Sequence, residues 1–570
     1  MHRLLILAAI MIAAISCNNN ETLPPVVDSD STRTVVQGDV VGFLSEDGTH
    51  VWRALPFATP PLGDLRWRAP RPAQNWDGLK EALAFGDRCT QVSTPFSQSE
   101  EVPFGDLVGS EDCLTLDVYA PPMSSEEAAS AALPVMVWIH GGGNVSGASK
   151  LYDGALLAKE QNVIVVAVQY RLGPFGWFAH EAIRETAETD GDRAANFAIL
   201  DLVSSLEWVR DNVTVFGGNP DNVTIFGESA GGHNVATLLA APQAKGLFHR
   251  AILQSGSFDS YSLADAQNEG SNLLNPSAKV AAHFDGPIAA AMRAASTQSV
   301  FDAFELDDDG YMELPRIIED GVTIVGGSLR EAFASTETFN AVPIITGTNK
   351  DEMKLFNLFN PELVKGYFNM FFVARDQGVY DAASDYTSRI WRLRSVDQPA
   401  ALMAAGGHDE VYAYRFDWDD GGKFLIMDLG KMIGAAHAIE IPFVFHKFQI
   451  LGDADRVLFK KNTLDDRNKL SSQMGAYWAN FARAGVPHSN VEGSPHWPQW
   501  STEGGTLLRL DTENDRGIET MADVETMDRI ISDLKNDDRV SNEIRCRIGE
   551  AMIEWVPSQK TLIKSELGCS

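Results

Sequence analysis

Asn222-Val-Thr-Ile-Phe-Gly-Glu-Ser-Ala-Gly231 is the stretch from which the rest of the chain can be read. Its first half is a run of β-branched and aromatic residues, the pattern of a short buried strand, and Asn234-Val-Ala-Thr-Leu-Leu239 beyond it opens a helix. Between them Gly227 and Gly231 flank Ser229 two positions either side. That spacing sets the serine on a sharp strand-to-helix turn, where the missing side chains leave room for neighbouring backbone and for a substrate. A bare Gly-x-Ser-x-Gly also fits an ordinary tight turn, so its surroundings decide the reading.

Upstream, His140-Gly-Gly-Gly143 follows a second apolar run, Pro134-Val-Met-Val-Trp-Ile139. Two glycine-rich turns, each at the carboxyl end of a strand, converge on one rim of a sheet, where backbone N–H groups of the triple glycine and of Ala230 can meet a developing oxyanion. Val163–Val168 and Pro343–Thr346 are further buried runs. Between strands, Phe197, Leu200, Val203, Leu206 and Val209 recur at helical spacing and predict a helix within Asn196–Val215. The alternation predicts a doubly wound α/β core with a mostly parallel sheet. A last helix is expected over Met474–Ala484, stopped by Gly485 and Pro487. Residues 258–341 and 356–435 lack clean sheet periodicity and read as helical insertions over the core.

A serine hydroxyl needs a base to take its proton and a carboxylate to orient that base. In this topology the order along the chain is serine, acid, histidine. His437 is the best base, because Gly434-Ala-Ala-His437 is a loop of small residues before the apolar run Ile441–Phe445. The acid should end a core strand, and both Asp351 and Glu352 do so after Pro343–Thr346. The chemistry of the residues alone does not choose between them.

At this point a resemblance becomes specific. From about Val36 to beyond Trp500 the chain resembles the type B carboxylesterase and cholinesterase family of α/β-hydrolases. Phe216–Gly231 is similar to the family's serine signature, Glu111–Pro121 to its second signature, and Trp52–Gly63 and Tyr170–Gly173 to further blocks. The resemblance implies Ser229 as nucleophile, Glu352 as acid, His437 as base, and Gly142, Gly143 and Ala230 as oxyanion donors. It places Glu228, Ser255 and Glu440 as supporting residues, their plain alternative being buried hydrogen-bonding positions without direct chemistry. It also implies a Cys89–Cys113 disulfide. The implied activity is hydrolysis of carboxylic esters through an acyl-enzyme, with no metal or organic cofactor. Met353 replaces the family's glycine after the acid, Asn144 stands where an aromatic is common, and the loop from Cys89 to Cys113 has no tryptophan, which disfavours choline esters. The competing readings are a catalytically silent cholinesterase-like binding protein, or a hydrolase of a related acyl substrate such as an amide, carbamate, lactone or aromatic ester.

The ends and the composition complete the picture. With 46 Lys+Arg against 78 Asp+Glu, the 570 residues carry a formal net charge of −32, the wrong sign for a nucleic-acid binder. Hydrophobic residues at 44% suffice for a large core. His2 and Arg3 precede the apolar Leu4–Ile15, too short to span a bilayer as a folded helix, and Ser16-Cys17 follows. Residues 1–17 therefore read as a bacterial lipoprotein signal with Cys17 as the lipidated residue, and 18–33 as a flexible tether. Residues 34–570 form a single catalytic domain, expected outside the cytoplasm, periplasmic or exterior, on a membrane anchor. The remaining Cys89, Cys113, Cys546 and Cys569 pair most simply as two local disulfides. The expected partners are a small-molecule ester and the membrane, with the chain acting as monomer or homodimer.

Overall fold

The architecture comes from a computed structural model that describes residues 24–94, 102–268, 270–307, 312–367, 371–449, 455–460 and 463–569. Its frame is one eleven-stranded sheet. In chain order the strands are Phe43–Leu44 (β1), His50–Pro56 (β2), Thr115–Ala120 (β3), Leu133–Ile139 (β4), Ile164–Val168 (β5), Gly218–Glu228 (β6), Arg250–Gln254 (β7), Ile344–Asn349 (β8), Val411–Phe416 (β9), Thr506–Leu510 (β10) and Glu519–Ala522 (β11). In space they run β1-β2-β3-β5-β4-β6-β7-β8-β9-β10-β11. The seven strands from β5 across to β10 are parallel to their neighbours, and β1–β3 and β11 flank them antiparallel. The chain leaves β4 for β5 on one side and returns to β6 on the other, so the carboxyl ends of β4 and β6 form the topological switch point where such sheets bind ligands.

β4 and β5 at the centre are built of apolar residues because both of their faces are covered. Val135, Val137 and Ile139 of β4 join one apolar cluster, and Met136 and Trp138 join the other. On the first face pack the helices Phe197–Asn212 (α1) and Ala230–Ala240 (α2); on the second lies the longest helix, Leu464–Ala484 (α4), which follows Gln377–Arg392 (α3) in the chain. Gly485, at φ +77°, ends α4 where the sequence places its stop. Three further helices, Met527–Asn536 (α5), Asn542–Trp555 (α6) and Lys560–Leu567 (α7), pack with α3 around an apolar cluster of their own. Disulfides join Cys89 to Cys113 and Cys546 to Cys569.

The structure corrects two boundaries. The segment 356–435, read as a helical insertion, contains the core strand β9; its residues alternate between the two apolar clusters, with Tyr412 and Tyr414 on one face and Val411 and Ala413 on the other. Val411 through Tyr414 are all apolar or aromatic, so no hydropathy alternation marks the strand. The tether expected through residue 33 ends sooner, because Ser31 is buried and its hydroxyl accepts a hydrogen bond from Gly42 N–H at 2.8 Å. Among its described residues the 258–341 segment carries short helices joined by irregular stretches, with a two-stranded parallel ladder between Ser260–Ser262 and Ile317–Glu319. The signal reading, Cys17 and the tether up to residue 23 lie outside the described residues. Among the described residues no helix is long and apolar enough to cross a membrane.

Candidate active site

Ser229 sits between β6 and α2 at φ +59°, ψ −124°, a conformation side chains other than glycine rarely adopt. The neighbouring elements hold it there: its N–H donates to Gln254 O on β7 at 2.8 Å and its carbonyl accepts from His233 N–H at 3.0 Å. The two flanking glycines are sterically required. A Cβ on Gly231 would lie 2.0 Å from Ile139 O at the end of β4, and one on Gly227 would lie 2.6 Å from the same oxygen. The elbow is therefore wedged against β4, and Ser229 is left half-buried on the rim.

The triple glycine lies beside it. A Cβ on Gly141 would come within 3.1 Å of Ser229 Cβ and 2.9 Å of Glu228 Oε2. Gly142, at φ +104°, accepts at its carbonyl from Val145 N–H and Ser146 N–H at 3.1 and 3.0 Å, which folds the loop back on itself. The loop is anchored by His140, which stacks on Tyr170 at 4.4 Å and receives the Tyr170 hydroxyl at its carbonyl. Burial pushes the His140 imidazole down to about 4, so this histidine is neutral and structural. Asn144 is buried and its Oδ1 accepts from Asn234 Nδ2 on α2 at 2.9 Å, tying the loop to the helix that follows Ser229. Leu314, from the 258–341 segment, covers Gly143.

On the other side of the rim, β8 ends in Asn349 and the chain turns so that Glu352 meets His437. His437 Nδ1 lies 2.6 Å from Glu352 Oε2. Glu352 Oε1 accepts from the Ser255 hydroxyl at 2.5 Å and from Asn349 N–H at 2.7 Å. Asp351, the rival acid, turns away to bond Ala435 N–H and Lys354 Nζ. His437 Nε2 lies 3.1 Å from Glu228 Oε1, and among the described residues no hydrogen bond joins His437 to Ser229. In unliganded enzymes catalytic hydrogen bonds are often unformed and tighten only once substrate is bound.

The charges around His437 are tightly coupled. Burial pushes the Glu228 carboxyl up to about 8, and Glu440 and Glu352 act in the same sense, against His437. Burial opposes the His437 imidazolium, but the facing carboxylates of Glu228 and Glu352 overcome it and raise its pKa to about 9. Glu228 and His437 thus titrate as a pair.

A layer behind the site escaped the sequence reading. Glu440 accepts from Gln254 Nε2 at 3.0 Å and from Asn349 Nδ2 at 2.6 Å, and Gln254 in turn accepts from Trp478 Nε1 of α4 at 3.0 Å. The network joins the ends of β7 and β8 to the His437 loop, and no local motif announces Gln254, Asn349 or Trp478. Nor does one announce Trp391 and Phe356, whose rings lie 4.7 and 5.5 Å from the His437 ring. Among the described residues, no group of three or more histidines, cysteines or carboxylates is gathered as a metal site.

The fold and this rim together define an α/β-hydrolase, and the chain belongs to the Carboxylesterase family, which it matches over residues 26–370 and 365–528. It is a carboxylic ester hydrolase of that family. It is 34% identical over 520 residues to the para-nitrobenzyl esterase of Bacillus subtilis (strain 168), covering 84% of this chain and 94% of that protein. Carboxylesterase 1C of Mus musculus is 32% identical over 528 residues, covering 85% of this chain and 89% of the relative. Among solved structures, the Geobacillus stearothermophilus carboxylesterase Est55 superposes with a TM-score of 0.68 at 28% identity, covering 88% of this chain and 99% of that one.

Proposed function

We propose that this ester hydrolase works through Ser229, His437 and Glu352. The single observation that carries the reading is the 2.6 Å contact between His437 Nδ1 and Glu352 Oε2 on the rim that presents Ser229 at its strained turn. With Nδ1 donating to Glu352, the neutral imidazole carries no proton on Nε2, the form able to take the Ser229 proton as the hydroxyl attacks the ester carbonyl. N–H groups of Gly142, Gly143 and Ala230 receive the oxyanion, His437 returns the proton to the departing alcohol, and water repeats the sequence to release the acid. Glu228, Ser255 and Glu440 support the site by holding His437 and Glu352. Hydrolysis of p-nitrophenyl esters by wild type and by Glu352→Gln tests the assignment: loss of about 10³–10⁴-fold in kcat is expected, and unchanged kcat in a folded variant contradicts it.

We further propose that Cys17 carries a lipid that holds the exported enzyme at a membrane, on the strength of the short apolar leader and the adjoining Ser16-Cys17. Cys17→Ser should move the enzyme from the membrane to the soluble fraction; unchanged partitioning in detergent phase separation contradicts the anchor.

A further inference from the structure

The matched family residues end at 528, yet the helices beyond that point reach the catalytic rim. Helix α3 is the bridge. Ile390 and Leu393 point into the apolar cluster shared with α5, α6 and α7, while Trp391 between them contacts the ring of His437 at 4.7 Å. Trp555, the last residue of α6, packs against Trp391 with ring centroids 5.0 Å apart and planes tilted by 36°. A second connection runs beneath the rings. Arg394 donates to the Trp555 carbonyl and, through Nη2, to Asp259 Oδ1 at 2.5 Å. The Asp259 carbonyl accepts from His233 Nε2 at 2.8 Å, one helical turn from Ser229. The hairpin of α6 and α7 that presents Trp555 is closed by Cys546–Cys569 and by a tight approach at Gly549, where a Cβ would lie 2.8 Å from Leu567.

We propose that Trp555 is a positioning residue for His437: through Trp391 it holds the imidazole in the orientation that keeps Nδ1 on Glu352 and turns Nε2 toward the rim. The inference rests on His437 being the general base. Ring pairs at these separations are attractive beyond their burial, and an indole within about 6 Å also favours the imidazolium that forms as the serine attacks. Displacing a catalytic group by about 1 Å costs on the order of 10²-fold, so loss of the outer ring should be felt in turnover rather than in substrate affinity. The cystine makes the same support sensitive to reduction.

The test is a comparison of wild type, Trp555→Ala and Trp555→Phe on a short p-nitrophenyl ester, with folding checked by circular dichroism and a thermal melt. The expected result is kcat lowered about 10-fold in Trp555→Ala, KM within about threefold, an acid shift of the pH profile midpoint as the imidazolium loses support, and recovery of most of kcat in Trp555→Phe. The titratable groups facing His437 are Glu228, Glu352 and Glu440, and none is altered in these variants. Unchanged kcat and unchanged midpoint in Trp555→Ala overturn the proposal. If Trp555→Ala does not fold, Cys546→Ser/Cys569→Ser decides: slowed turnover at unchanged KM supports the positioning role, and wild-type turnover overturns it. Wild-type protein that neither turns over esters nor reacts with a fluorophosphonate at Ser229 would instead sink the assignment of the active site itself.

Discussion

The rim where β4 and β6 end and the C-terminal hairpin of α6 and α7 both bear on His437, but they are held by different physics. At the rim, backbone presses on backbone: Ile139 O leaves no space for a side chain at Gly227 or Gly231, and Ser229 keeps a strained φ because β7 and α2 bond both ends of its peptide units. In the hairpin, an apolar cluster apart from the main core, a tilted pair of indoles and one cystine hold the parts together. Where geometry comes from backbone contact, single residue identities are fixed; where it comes from side-chain packing, many sequences would serve. The first kind leaves a motif and the second does not.

Ser229→Ala should lower kcat/KM by at least about 10⁴-fold with the thermal melt unchanged; retained turnover in pure protein would remove the rim from the chemistry. Gly231→Ala, which must displace the end of β4, should destabilise the fold by on the order of 3 kcal/mol in chemical denaturation. The two disulfides offer a matched pair, since they span 24 and 23 residues and constrain the unfolded chain almost equally, by about 3 kcal/mol each. Removing Cys546–Cys569 should loosen the hairpin alone and lower the global transition less than removing Cys89–Cys113, whose cysteines lie in the main core. Equal losses by calorimetry would mean that the hairpin unfolds with the rest.

The smallest effect concerns pH. As the proposed base His437 must be neutral, and the facing carboxylates hold its pKa up, so kcat/KM should rise with pH toward a midpoint of about 9. Glu228→Gln removes one of those carboxylates, favours the neutral imidazole and should move the midpoint toward acid. While the midpoint stays above neutrality, lowering it by about one pH unit raises the neutral fraction at pH 7 about tenfold. A midpoint that does not move would show that Glu228 is already uncharged when His437 titrates.

How much was legible follows the same division. The strand, turn and helix around Ser229 could be read because glycine spacing and a β-branched run are local signals, and the triple glycine could be read for the same reason. The choice of Glu352 over Asp351 needed the family resemblance, since both end the same strand; in the structure Glu352 faces His437 while Asp351 bonds the backbone of Ala435. Strand β9 was hidden because it is buried on both faces and so has no alternation. Gln254 and Asn349 meet Glu440, and Trp478 meets Gln254, only once β7, β8 and α4 are side by side, and Trp555 meets Trp391 from over 160 residues away. Contacts of that kind are products of the fold.

Whether Ser229 is the nucleophile of this ester hydrolase is decided most directly by intact mass after treatment with a fluorophosphonate. One adduct per chain is expected on wild type, with p-nitrophenyl ester turnover lost in step with labelling, and no adduct on Ser229→Ala. An adduct that persists on Ser229→Ala, or ester turnover that survives full labelling, would contradict the assignment.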